Sequence, residues 1–173
     1  IEARFGLANN NETAVIEVAE ASGLHCVPAE ARDALRATSR GTGEMILAAL
    51  KHRPKTLIMG LGGSATTDGG AGILQALGAR LLDNQSEEIG PGGAGLARLA
   101  TADLEPAIRR LNGIQLIVAC DVTNALLGPE GAAAVFGPQK GANEDDVRQL
   151  DASLAHFSRL VKAQGLDIAS FPG

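Results

Sequence analysis

Two short, β-branched apolar segments, Thr56–Gly60 (TLIMG) and Gln115–Cys120 (QLIVAC), each run straight into a polar stretch rich in glycine. Apolar runs of this length, bounded by turn residues, fit strands buried on both faces of a sheet. Between and around them the apolar spacing changes to that of helices. Met45, Ile46, Ala49 and Leu50 form one face of a helix beginning near Thr42 and stopped by Pro54. Ile73, Leu74 and Leu77 form another, closed by Gly78, and Leu104–Leu111 a third, with Gly113 as its C-terminal cap. The last helix is the best defined. Asn143 caps it, Glu144, Asp145 and Asp146 favour its positive end, and Val147, Leu150, Leu154, Phe157 and Val161 make a single stripe ahead of Gly165.

Less regular segments complete the pattern. Thr13–Val18 reads as a strand after the turn Asn9-Asn10-Asn11, and Ala79–Asp83 as another. A short helix is expected from Pro28 across PAEARDALR, with proline at its first position. Residues 84–101, polar and centred on Gly90-Pro91-Gly92-Gly93, read as a surface loop with a little helix after Gly95. Strands alternating with helices define an α/β domain, a mixed sheet with flanking helices and some parallel pairing. Its 173 residues fit one domain.

Composition excludes several functions. The 15 basic residues are scattered among 20 acidic ones, with Arg109-Arg110 as the one adjacent basic pair, and Trp and Tyr are absent. Neither the charge footprint nor the stacking platforms of a nucleic-acid binder are present. Cys26 and Cys120 do not have metal-ligand spacing, which excludes a disulfide framework and fits a reducing cytoplasm. No apolar stretch approaches the roughly 18 residues of a membrane span. A chain that starts at Ile1 and stops at Phe171-Pro172-Gly173, just past a helix, is expected to be truncated at both ends.

Polar chemistry concentrates in three glycine-bearing segments, Thr38–Glu44, Gly60–Gly70 and Asp121–Ala142. Two of them follow strands directly, the usual place for ligands in an α/β sheet. Gly60-Leu61-Gly62-Gly63-Ser64-Ala65, with Asp83 beyond, literally satisfies a dinucleotide fingerprint. Against that reading, Thr66, Thr67 and Asp68 prolong the polar loop where a helix should begin, and Asp68 would repel a pyrophosphate. A nicotinamide-dependent oxidoreductase therefore stays as an alternative, as does a ligand-binding domain without catalysis. A Walker A lysine is also absent.

An anion cradle is the reading these residues favour. Gly62 and Gly63 permit turns that aim backbone amides at one anion, with Ser64 and Thr66 adding hydroxyls. Asp68 and Asp121 are the candidate catalytic carboxylates, able to hold Mg²⁺ or to orient and deprotonate an attacking hydroxyl. Lys140 offers a point charge for a phosphate, and Arg40 a bidentate partner for a small carboxylate. Ser39, Thr42, Asn124 and Gln139 complete the candidate binding set, and the three histidines are assigned no catalytic role.

The segments AVIEVAEASGL (14–24), TSRGTGEMILAAL (38–50), IMGLGGSATTDGGAGILQALGARLLD (58–83), VACDVTNALLGPEGA (118–132) and VFGPQKGA (135–142) together resemble the bacterial glycerate kinases. The resemblance runs along nearly the whole chain. It implies transfer of the γ-phosphoryl of MgATP to a hydroxyl of D-glycerate, most directly to give 2-phosphoglycerate. It also implies two α/β domains around the active cleft, one flavodoxin-like or Rossmann-like and one resembling a restriction-endonuclease core. This chain would be chiefly the second, inserted domain. Two positions depart from the family pattern, Thr67 where Asn is common and Ala125 where Pro is common. The family's Asp-Ser-x-Lys and Gly-Glu-Gly-Arg segments have no counterpart here. The implied partners are glycerate and the remaining segments of a parent chain, without which little turnover is expected; oligomeric state stays open.

Overall fold

The computed structural model describes residues 1–171, so Pro172 and Gly173 of the expected C-terminal exit lie outside the described residues. The chain opens with a hairpin of β1 (Gly6–Ala8) and β2 (Thr13–Glu17), turned by Asn9, Asn10 and Asn11 at φ +52, +54 and +70°. Asparagine tolerates this left-handed region better than most residues. After β2 come the short helix α1 (Val18–Ser22), the longer α2 (Arg40–Leu50) and the buried strand β3 (Thr56–Gly60). Then follow α3 (Ala71–Ala76), β4 (Arg80–Leu82), α4 (Gly92–Gly95), β5 (Thr101–Asp103) and α5 (Glu105–Arg110). Strand β6 (Gln115–Ala119), α6 (Ala132–Phe136) and α7 (Glu144–Lys162) complete the order.

The main sheet has the order β1-β2-β3-β6, with β1 antiparallel and the other three parallel. The register sets Glu17 beside Gly60 and Gly60 beside Ala119, so three consecutive strands end level. The segments that leave those ends emerge side by side. The core gathers Ala14, Ile16, Leu57 and Met59 from the sheet with Met45, Ile46 and Ala49 of α2. Helix α7 adds Leu150, Leu154, Phe157 and Val161, all but sealed. A capping box starts α7: the Asn143 side chain accepts from the amides of Asp145 and Asp146, and the Asp146 carboxylate accepts from the Asn143 amide. No helix among the described residues is long and apolar enough to cross a membrane.

Three expectations are corrected. The segment after Pro28 forms only a 3₁₀ turn at Ala29–Ala31. The Asp33 carboxylate there accepts from the amides of Leu35 and Arg36, both at 3.0 Å, and this local side-chain bonding competes with helix formation. Residues 84–101 are a surface loop only at their start: residues 84–88 are exposed, whereas the stretch from Gly92 packs inside. Gly92, Gly93 and Gly95 are buried, as are Ile89, Leu96 and Leu99, and a Cβ on Gly93 would strike the Thr67 carbonyl and Leu150. These glycines permit close backbone contact rather than solvent turns. The third correction concerns β6, expected to be buried: Leu116, Ile117 and Val118 are 48, 42 and 48% exposed. A parallel strand is buried only when both faces are covered, and β6 lies at the sheet edge.

Helices α2 and α3 also meet closely at Gly43, where a Cβ would come within 2.6 Å of the Ala76 Cβ and 2.9 Å of the Ile73 Cα. Alanine gains about 1 kcal/mol over glycine in a helix, whereas overpacking costs about 1–3 kcal/mol. Because one obstacle is backbone, overpacking wins. Gly43→Ala is expected to lower unfolding stability by about 1–2 kcal/mol in urea titrations.

Candidate active site

The level strand ends supply the floor of the site. Past Gly60, the Leu61 amide still donates to the Ala119 carbonyl at 3.2 Å, which carries β3–β6 pairing into the glycine loop. The loop then turns onto the segment after α1. The Leu24 amide donates to the Gly63 carbonyl at 2.9 Å, and the Ala65 amide donates to the Ser22 carbonyl at 2.8 Å. Gly63, at φ +73°, makes a turn that other residues adopt at a cost, and Gly62 and Gly63 stay exposed.

Asp68 lies beneath this loop, 2% exposed. Its Oδ2 accepts from the Ser39 amide at 2.8 Å, the Ser39 hydroxyl at 2.9 Å and the Gly72 amide at 3.2 Å. Its Oδ1 accepts from the Gly70 amide at 3.1 Å. One carboxylate thus joins the start of α2, the glycine loop and the start of α3. Ser39 relays the connection, because its Oγ also accepts from the Ile73 amide at 3.1 Å. Both residues were expected at the ligand; the structure gives them internal bonds.

The third segment enters through Lys140, 8% exposed, in the 3₁₀ turn Pro138–Lys140. Its Nζ donates to the Thr66 carbonyl at 2.5 Å and to the Ser64 hydroxyl at 3.3 Å. Burial pushes the Lys140 pKa down to about 8, while the neighbouring Asp68 charge acts in the opposite direction. The ammonium is therefore still the major form at neutral pH. Thr66, Asp68, Gly70, Leu126, Ala132 and Lys140 line a cavity of about 200 Å³ between the two segments.

Asp121 stands exposed just past the end of β6, one strand over from the glycine loop. The chain beyond it is tied back on itself: the Asn124 side-chain amide donates to the Glu130 carbonyl at 3.0 Å, and Asp151 of α7 accepts from the Gly128 amide at 2.8 Å. Gln139 is exposed, and its carbonyl accepts from Arg32 at 3.0 Å. Among the described residues no group of three or more His, Cys, Asp or Glu is placed to hold a metal ion.

Two expected contacts lie elsewhere. Thr42 is fully buried, its hydroxyl donating to the Ser22 Oγ at 2.9 Å, so it serves packing between α1 and α2. Arg40 pairs with Glu44 at 3.4 Å and lines a separate cavity of about 430 Å³ with Thr38, Gln75 and Glu88. Asp83, the acidic residue of the dinucleotide alternative, holds the 84–98 segment instead. Its carboxylate accepts from the amides of Gln85 and Glu87 and pairs with Arg98 at 2.6 Å, and these donors lower its pKa. The alternative thus loses its ribose-binding carboxylate.

Sequence reasoning passed over Glu17. Its carboxylate leans across Gly60, where a Cβ would meet Oε2 at 2.5 Å, and so adds an exposed acid to the strand ends that lead to Asp121. The available signal was an acidic residue closing the apolar strand TAVIE. Thr67, at the family's Asn position, is buried with its hydroxyl unpartnered among the described residues.

Comparison with known proteins agrees along the whole length. The family model described as the Glycerate kinase family matches residues 1–173. The glycerate kinase of Bacillus subtilis (strain 168) is 54% identical over 162 residues, covering 94% of this chain and 42% of that protein. The glycerate 2-kinase of Escherichia coli (strain K12) is 49% identical over 174 residues, covering 100% of this chain and 46% of that protein. A crystal structure from Salmonella typhimurium LT2, assigned as glycerate kinase 2, superposes with a TM-score of 0.97 at 48% identity, over 100% of this chain and 46% of that one. The chain thus spans less than half the length of these relatives. With a shared fold and a matching family model throughout, the chain belongs to the glycerate kinase family.

Proposed function

We propose that these residues form part of a glycerate kinase site that transfers the γ-phosphoryl of MgATP to the 2-hydroxyl of D-glycerate. One observation carries the reading: an exposed glycine turn and an exposed aspartate leave adjacent parallel strands at the same end of the sheet. The names of the relatives supply the substrate class. In this reading the chain is the central inserted domain, of restriction-endonuclease-like type, and the rest of a longer polypeptide closes the cleft. A cytoplasmic setting belongs to the same proposal.

The residues divide the work. Gly62 and Gly63 present backbone amides to phosphate oxygens, with Ser64 and Thr66 at the loop's turn. Of the two expected carboxylates, Asp121 is the one exposed to solvent. Mg²⁺ usually takes one or two protein carboxylates and keeps water and phosphate oxygens as its other ligands. A single free aspartate fits that habit, and the ion would supply charge neutralisation on the phosphates. Asp68, the other carboxylate expected at the metal, has its oxygens occupied by four donors and orders the loop. In the transfer, the attacking glycerate hydroxyl loses its proton to a carboxylate or water, the new O–P bond forms, and the bond from the γ-phosphorus to the bridging oxygen breaks, releasing ADP. Asn124 and Gln139 border this region. Arg40 and Thr42 have no part in it.

Activity is best tested in a chimera in which this chain replaces the matching part of the Bacillus subtilis relative. Phosphoglycerate formation from glycerate and MgATP is expected there, with little or none from the 173-residue chain alone. A folded chimera that hydrolyses ATP at the same rate with and without glycerate would remove the proposal. Asp121→Asn is expected to cut turnover at least about 100-fold, with the thermal midpoint unchanged because the side chain is exposed. Asp68→Asn is expected to lower stability as well, by about 3 kcal/mol in urea titrations, because buried donors lose a charged acceptor.

A further inference from the structure

Lysines in phosphate sites are usually taken as direct ligands, a point charge on a flexible stem. Lys140 is placed differently. It is 8% exposed, and two of its three ammonium directions are directed at the glycine loop itself, to the Thr66 carbonyl at 2.5 Å and the Ser64 hydroxyl at 3.3 Å. Among the described residues it forms no ion pair. Its hydrogen bonds go instead to a backbone carbonyl and a hydroxyl, both within the loop, with the Asp68 charge nearby.

The base that carries Lys140 is built to hold it there. Gly141, at φ +95°, ends the 3₁₀ turn, and a Cβ at that position would come within 3.0 Å of the Arg32 Cβ. Arg32 in turn donates through Nη1 to the Gln139 carbonyl at 3.0 Å. The turn is thus pressed against residue 32 on one side while the lysine stem crosses the cavity to the loop on the other. On the far side of that loop, the Gly63 carbonyl and the Ala65 amide are bound to Leu24 and Ser22. Held from both sides, the peptide planes that carry the Gly63 carbonyl, the Ala65 amide and the Thr66 carbonyl have little freedom to rotate.

We propose that Lys140 is a positioning residue: it grips Thr66 and Ser64 from beneath and thereby fixes the direction of the loop amides, without touching the ligand. This rests on the reading of the glycine loop as an anion cradle, yet its test needs no turnover. A direct phosphate ligand would leave the empty loop alone when removed, whereas a strut is needed before any ligand arrives. Neutral-pH burial of an ammonium is costly, and a preorganised cradle is the functional return.

The deciding experiment is nuclear magnetic resonance on the ligand-free chain. In the wild type, the Lys140 ammonium should give a slowly exchanging, hydrogen-bonded signal distinct from those of exposed lysines. In Lys140→Met, the amide resonances of Ser64 to Gly70 should already be displaced without nucleotide, and Lys140→Arg, which keeps charged donors, should recover part of the displacement. Wild-type resonances at Ser64 to Gly70 in a folded Lys140→Met chain would overturn the proposal. Should that variant not fold, a Lys140 ammonium exchanging as fast as exposed lysines in the wild type would overturn it equally.

Discussion

The carboxylate of Asp68 is the junction on which the rest of the site depends. It accepts four hydrogen bonds, three of them from backbone amides, and so brings the Ser39 cap, the Gly60–Gly70 loop and the first turn of α3 to one point. A buried negative charge is tolerated only when donors surround it, and here the donors are the unpaired amides that open helices. The helix starts and the aspartate satisfy each other. Removing either would leave buried polar groups without partners.

Glycine makes that junction physically possible. Gly72 lies so near Ser39 and Arg40 that a Cβ there would collide with the Arg40 amide and the Thr38 hydroxyl, and Gly43 allows α2 onto α3 in the same region. Close approach of backbones brings amides within reach of one carboxylate. Lys140 then closes the arrangement from below, its ammonium bonded to a carbonyl and a hydroxyl of the loop. The outward surface that results presents Gly62, Gly63 and Asp121, and it coincides with the level ends of β2, β3 and β6.

Much of the scaffold was legible in the chain. Periodic stretches gave α2, α3, α5, α7, β2 and β3 close to their observed bounds, because apolar spacing reflects which face meets the core. The Asn143 cap and the acidic first turn of α7 were equally readable, being local. Misreadings arose where a local signal had two uses. Gly92, Gly93 and Gly95 look like solvent turns but serve close packing, and Pro28 looks like a helix start until Asp33 binds its own neighbours' amides. Of the candidate site, the glycine loop and Asp121 lie just past strand ends, as their places after apolar runs suggested; Thr42 and Arg40, chosen for their chemistry in a third loop, have other partners.

The sequence by itself determined the alternation of strands and helices and the placement of polar glycine loops after strands, since both are written in spacing along the chain, and its motif segments carried the resemblance to the glycerate kinase family. Only the tertiary structure decided which polar side chains face outward and which are consumed inside. Asp68, Ser39 and Lys140 have the same chemistry as ligand-binding groups, and what diverts them is the set of donors and acceptors that distant segments bring to them. Hydrogen-bond partners more than 25 residues away cannot be read from local pattern, because burial and pairing are fixed by packing rather than by neighbours in the chain.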